Sequence, residues 1–267
     1  MADPQYADQP ARGSRYYRES VLKLKNAIKE LNSHPLDLVV TLGDVIDKDY
    51  KSFQTMMPLY EVLKAPHRIV LGNHDFSVAP EDKKKVLPTM KIKTPYHSEV
   101  LNGWRLIYLD STEISDFRYA KDDARHKAAE TMRRELKKES RHPRRKWKGG
   151  MSQDQLDWLK GELTAAKKSG EWVILFNHYP TYPVGGHNLW NAEELVKIIS
   201  GYSHVAAYMN GHNHKGNYAL HKGCHYVNFK GMVETVDTTA YAVITCYADR
   251  VEIDGFGVEP DRKLIVD

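Results

Sequence analysis

The stretch LDLVVTLGDVID (residues 36–47) carries an apolar run into a Gly-Asp turn, and three later stretches share that layout. PHRIVLGNHD (66–75), EWVILFNHYP (171–180) and HVAAYMNGHNH (204–214) each take a hydrophobic segment into Asn or His. Short runs rich in Val, Ile and Leu predict buried strands. Polar residues at their C-terminal ends lie where an open α/β sheet builds its sites. One such turn has an ordinary meaning, because Asp and Asn favour turns at strand ends. Four in this order predict one shared site containing Asp44, Asp47, Asn73, His74, His178, His212 and His214.

Those residue types suit one chemistry. Hydrolysing a phosphate ester requires neutralised phosphoryl charge and a nucleophile made from water near neutral pH. Two divalent cations about 3.5–4 Å apart supply both. Asp44 is the candidate carboxylate between them. Imidazoles and an amide oxygen complete an oxygen/nitrogen shell suited to Mn²⁺, with Fe²⁺ or Zn²⁺ as alternatives. A set without thiolate argues against a structural zinc site. His212 and His214, two residues apart, share one face of an extended segment.

In sequence order the motifs resemble those of the calcineurin-like metallophosphoesterases: D-x-H, GDxxD, GNH-D/E, a lone His, then GHxH. The resemblance implies an α/β sandwich of two mixed β-sheets face to face, flanked by helices. It implies that Asp44 bridges two metals, that Asn73, His178 and His212 complete one, and that His214 serves the other with Asp3 and Gln5. His74, oriented by Asp47, would stand beside the reacting phosphate. Gln5, in ADPQYAD (2–8), occupies a position where most of the family has His. Its amide oxygen is a weaker ligand that favours harder ions such as Mn²⁺.

ADPQYAD followed by RYYR (15–18) is similar to the manganese-dependent ADP-ribose/CDP-alcohol diphosphatases, as are GGMSQDQLDWLKGEL (149–163) and GHNHKGNYALHKGCHYVNFKGMVET (211–235). That similarity implies cleavage of a pyrophosphate bond in a nucleoside diphosphate derivative by a metal-bridging hydroxide. A generic phosphodiesterase or phosphomonoesterase of the same fold is the alternative, and a metal-free scaffold the remote one. A protein Ser/Thr phosphatase is disfavoured, because Lys48-Asp49 stands where those enzymes carry Arg-Gly. Members of the family also have a hydrophobic strand before the first Asp, and only Met1 and Ala2 precede Asp3. A strand needs about five residues, so either the start of this sequence leaves that strand out or the sheet lacks an internal strand, with backbone groups then unpaired beside the site.

Arg15, Tyr16 and Tyr17 follow the first motif at the expected start of a helix over 14–32. A guanidinium suits bidentate phosphate contacts, and capping and packing of the helix is the alternative. Tyr182, His187, Asn188 and Trp190 lie just after His178, available either to stack on a nucleobase or to pack their own loop.

Composition sets outer bounds. The 267 residues alternate strands and helices without a long linker, which predicts a single domain over 1–267. No apolar run is long enough to span a membrane, and the polar start predicts no signal peptide. Two cysteines cannot build a disulfide framework, which points to the cytoplasm. The net charge of +4 hides an asymmetry, since residues 118–148 hold thirteen Lys/Arg against five Asp/Glu. This stretch reads as a basic helical insertion, helical over 122–139 and ended by His142-Pro143. Interleaved acids mark a solvated helical face more often than a nucleic-acid surface, and the expected partner is a small nucleotide. Further helices are expected over 54–63, 152–168 and 191–200, with Ser152 and Gln155 forming a capping box.

Overall fold

The structure, a computed structural model, describes residues 1–138 and 145–266. In chain order the elements begin α1 (Ser20–Leu31), β1 (Val39–Thr41), α2 (Lys51–Tyr60), β2 (His67–Ile69) and α3 (Val86–Thr89). There follow β3 (His97–Leu101), β4 (Trp104–Tyr108), β5 (Ile114–Ser115), α4 (Ala124–Lys138), β6 (Gly149–Gly150) and α5 (Gln153–Ser169). Then come β7 (Trp172–Phe176), α6 (Ala192–Ile199), β8 (Val205–Asn210), β9 (Asn217–His221) and β10 (Cys224–Asn228). The last three strands are β11 (Ala240–Cys246), β12 (Arg250–Gly257) and β13 (Arg262–Ile265). The expected end of α4 at His142-Pro143 lies outside the described residues.

Six strands form a mixed sheet in the order β3-β4-β7-β8-β10-β9, parallel from β4 to β10 and antiparallel at both edges. Its centre is buried on both faces, which is why WVILF and VAAYMN read as continuous apolar runs. One face packs on α5 and α6 through Leu156, Leu159, Leu163, Leu195 and Ile199. The other meets a second layer built from β1-β2 and the antiparallel β11-β12-β13, through Leu42, Val70, Val251 and Ile253. Helices α1 and α2 cover that layer with Leu24, Ile28, Phe53 and Met56. This is the face-to-face arrangement expected from the sequence.

Strands β1 and β11 are both edges, and a cavity of about 750 Å³ lined by Leu38, Val40, Trp104, Phe176, Ala242 and Ile244 separates them. Next to the site, however, the backbone is paired. The Met1 amino group donates to Val40 O at 2.9 Å, and the Leu42, Gln5 and Tyr6 amides donate to Met1, Asp44 and Val45 carbonyls. Met232 and Val233 amides donate to Ala2 and Asp3 from the other side. Residues 1–6 are thus paired on both sides beside the site, where unpaired backbone was expected.

Two local expectations shift. The first helix begins at Ser20 rather than residue 14, because the Tyr16 amide donates to Val233 O and Arg15 bridges to Glu234. Arg15 and Tyr16 thus lie on an extended segment, not on a helix. Ser152 does cap α5, its Oγ accepting from the Gln155 amide at 3.1 Å. The reciprocal half of the box is absent. The Gln155 side chain instead grips both main-chain groups of Asp110, and Glu113 Oε2 accepts from the Ser152 amide at 3.0 Å.

Candidate active site

The turns after β1, β2, β7 and β8 converge because Gly43, Gly72 and Gly211 leave room for side chains from other segments. A Cβ on Gly72 would overlap Asp44 Oδ1 and its amide nitrogen, and one on Gly211 would overlap Asp3 Oδ2. At Gly43 a Cβ would sit 2.6 Å from His178 Nδ1, far inside contact distance. Glycine is needed here for close approach, and at Gly43 also for its φ of +87°. Strain gathers at the same place. Asp3, Gln5, Asp44 and His212 all hold positive φ, at 48°, 48°, 50° and 68°. Such backbone costs of order 1–3 kcal/mol per residue and persists where surrounding structure enforces it, typically at functional sites.

One group of donors forms around Asp44, His178 and His212, whose ligand atoms all lie within 4.8 Å of one another. His178 Nε2 stands 3.3 Å from Asp44 Oδ2 and 3.1 Å from His212 Nδ1, while His178 Nδ1 donates to Leu42 O at 2.7 Å. A second group pairs His214 Nε2 with Asp3 Oδ1 at 3.5 Å, and the Gln5 amide reaches Asp44 Oδ2 at 3.4 Å. Asp44 therefore lies between the groups. Gln5 Oε1, Asn73 Oδ1 and His212 Nε2 are buried without a hydrogen-bond partner among the described residues. Orphaned buried acceptors are rare because they forfeit hydration. Three of them flanking a carboxylate fit a pair of divalent cations with oxygen/nitrogen coordination.

His74 adjoins this centre. Its amide donates to Asp44 Oδ1 at 2.8 Å, and its Nδ1 lies 3.0 Å from the Asp47 carbonyl and 3.2 Å from Asp47 Oδ1. That contact fixes the proton on Nδ1 and turns Nε2 outward, and Gln9 Nε2 holds Asp47 in turn at 3.0 Å.

The electrostatics follow from burial and proximity. Burial opposes charge on His178, but Asp44 outweighs it and lifts the imidazole to about 9. Burial likewise opposes charge on His214, and hydrogen bonds to Asp3 and Glu234 lift it to about 9. His74 is raised against its own burial by Asp44 and Asp47. His212 goes the other way, held well below the ordinary range by burial and by the histidines around it. Asp44, despite burial, is pulled to about 2 by His178 and His74.

The residues expected to meet substrate divide. Arg15 lies within electrostatic reach of His187, His214 and Glu234, at the edge of the second group. His187 faces His212 with ring centroids 5.5 Å apart. Tyr16 is anchored through its main chain to Val233. Tyr182 stacks on His221 at 4.6 Å and meets Tyr226 in a tilted contact at 5.3 Å, and Asn188 Nδ2 donates to Thr181 and Pro183 carbonyls. Trp190 is buried against Ile114 and Leu136.

Three residues at the site escaped the sequence reading. Asp75, fully buried, accepts from the Asp44, Val45 and Gly72 amides at 3.1, 2.8 and 2.8 Å. Burial first, and then the Asp44 charge, raise its carboxyl to about 7. Glu234 accepts from His214 Nδ1 at 2.7 Å. Trp147 lies 5.0 Å from the His212 ring and accepts the Tyr179 hydroxyl through its carbonyl. The last Asp of GNHD carried a signal for the first. The other two meet the site only through the fold.

Residues 10–216 match the family described as calcineurin-like phosphoesterase, a match that begins beyond Asp3 and Gln5. The chain is 30% identical over 312 residues to the manganese-dependent ADP-ribose/CDP-alcohol diphosphatase of Mus musculus, covering 99% of this chain and 91% of that protein. It is 29% identical over 288 residues to the protein of the same name from Arabidopsis thaliana, covering 96% and 92%. Among solved structures, a dimetal phosphatase from Danio rerio superposes with a TM-score of 0.91 at 22% identity, covering 100% of this chain and 98% of that one. With the family match spanning most of the chain, the relatives nearly all of it, and the fold held in common, this chain belongs to the calcineurin-like phosphoesterase family.

Proposed function

We propose that this protein is a manganese-dependent hydrolase that cleaves the pyrophosphate bond of nucleoside diphosphate derivatives, ADP-ribose and CDP-alcohols being the substrate class. The observation that carries the reading is the buried Asp44 carboxylate set between two donor groups with three unpartnered acceptors around it. Asn73, His178 and His212 would hold one cation beside Asp44, and Asp3, Gln5 and His214 the other. Bound there, the pair would supply charge neutralisation and an activated water. The names of relatives similar along nearly the whole chain support the substrate class and the metal.

The chain's own contribution is positioning. Leu42 O and Glu234 fix the His178 and His214 tautomers, leaving each Nε2 free to ligate. With Nδ1 committed to Asp47, His74 presents Nε2 to the reacting phosphate. A protonated imidazole there would offer its proton to the departing phosphate oxygen or offset charge on it, and against burial Asp44 and Asp47 favour that form. Water adds across the P–O–P linkage, so ADP-ribose would yield AMP and ribose 5-phosphate. Among the described residues no helix is long and apolar enough to cross a membrane. Free Cys224 and Cys246 support a reducing cytoplasm as the compartment. The test is AMP release from ADP-ribose, with the dependence on added manganese and on His74 measured together.

A further inference from the structure

Among the described residues two lysines are buried, and they are treated differently. Lys23 Nζ is met by the Glu234 and Thr235 carbonyls at 3.1 and 2.9 Å, the satisfaction expected of a structural buried ammonium. Lys148 is fully buried, and among the described residues its Nζ has no hydrogen-bond partner. No carboxylate among them neutralises it. Burial, with Arg145 adding positive charge, pulls its pKa down to about 7. A buried amine without a partner costs folding free energy whether it stays charged or sheds its proton, and such a lapse points to a functional role.

Its position says what that is. Nζ lies 5.3 Å from the centre of the Trp147 ring. Trp147 in turn stands 5.0 Å from His212 and 5.6 Å from His187, and His187 is 5.5 Å from His212. Lys148 also lies close enough to His187 to depress its pKa, as do Arg15 and Lys215 after burial has its effect. A rim of cations and aromatic faces therefore adjoins the carboxylate-histidine centre on the His212 side, with no acidic partner for Lys148 among the described residues. A diphosphate substrate has one phosphate at the reacting centre and a second, equally charged, beside it.

We propose that Lys148 is a substrate-binding residue, its ammonium drawn out over the Trp147 face by the second phosphate of a diphosphate substrate. The inference rests on the diphosphatase reading above and goes beyond it by naming the group that distinguishes a diphosphate from a simple diester. Lysine suits this role, because a compact charge on a stem of four rotatable bonds can leave a dry resting position for an anion. The basic run that ends at Lys148 is thus not all solvated surface.

The experiment compares Lys148→Met and Lys148→Arg with wild type, using ADP-ribose and bis-p-nitrophenyl phosphate in Mn²⁺, with Tm measured on each. Loss of one charge-assisted phosphate contact predicts a fall of about tenfold or more in kcat/KM for ADP-ribose in Lys148→Met, with partial recovery in Lys148→Arg. Diester turnover stays within about twofold, since that substrate has no second phosphate. Tm is unchanged or higher, because the variant removes an unpaired buried charge. ADP-ribose turnover in Lys148→Met equal to wild type overturns this inference alone. A parallel loss on both substrates with a lower Tm also overturns it, assigning Lys148 to structure. A wild-type protein that cleaves the diester but no diphosphate overturns the proposed function and this inference with it.

Discussion

Asp75→Asn is the most informative single change, because it leaves every proposed ligand in place. The carboxylate accepts three buried backbone amides, Oδ2 taking Asp44 and Gly72 and Oδ1 taking Val45. Asparagine keeps the shape but has one accepting atom. In its better orientation the amide oxygen keeps Asp44 and Gly72, and the NH₂ group is pressed against the Val45 amide. One orphaned buried donor costs about 1–3 kcal/mol, and above pH 7, where the carboxyl is ionised, the two surviving bonds lose charge assistance worth roughly 1 kcal/mol each. Relief of the buried carboxylate offsets part of this, for a net loss on the order of 3 kcal/mol. In a chain of this size that corresponds to a Tm drop of roughly 5–6 °C. Because Asp44 sits at φ 50° and depends on this anchor, manganese affinity should fall with stability. Thermal unfolding with and without Mn²⁺, followed by isothermal titration of the metal, reads both. An unchanged Tm with wild-type manganese affinity would refute the claim that Asp75 holds the Asp44 turn.

Two further outcomes are expected. His178 and His214 carry folded pKa values of about 9 against an ordinary 6.5, so the stability they contribute to the metal-free protein is full below 6.5 and lost as pH rises through 9. Tm of the chelator-treated protein should fall across that window, manganese uptake near neutral pH should release protons, and a flat or rising Tm would contradict the assignment. Gly72→Ala puts a Cβ into the space of Asp44 Oδ1, and overpacking of this kind costs about 1–3 kcal/mol. A lower Tm with weakened manganese binding is expected, and titration calorimetry showing wild-type affinity would count against the close approach.

The fold was legible where burial is simple. WVILF and VAAYMN are buried on both faces and read as apolar runs, and the polar residues closing them lie next in sequence. The chain alone therefore assembles Asp44, His178 and His212. What it hides depends on distant pairing. The periodicity of α1 extends back to residue 14, but Val233 captures the Tyr16 amide, so helix gives way to an extended segment. Gln155 has the composition of a capping-box partner, yet two main-chain groups of Asp110 offer it more than Ser152 can. Glu234 stands twenty residues beyond His214 and reaches it only through the fold. Lys148 looked like the tail of a charged surface run, because the burial that separates it from its neighbours is tertiary.

The central claim is a manganese-dependent cleavage of a pyrophosphate bond at Asp44 and its flanking histidines. The most direct measurement resolves the products of ADP-ribose incubated with the purified protein across a manganese titration, with bound metal counted on the same samples and His74→Ala alongside. The account predicts AMP and ribose 5-phosphate in wild type, rising as the second ion binds, and a His74→Ala protein that keeps its metal but loses most turnover. AMP release that ignores manganese, or a His74→Ala protein as active as wild type, would contradict it.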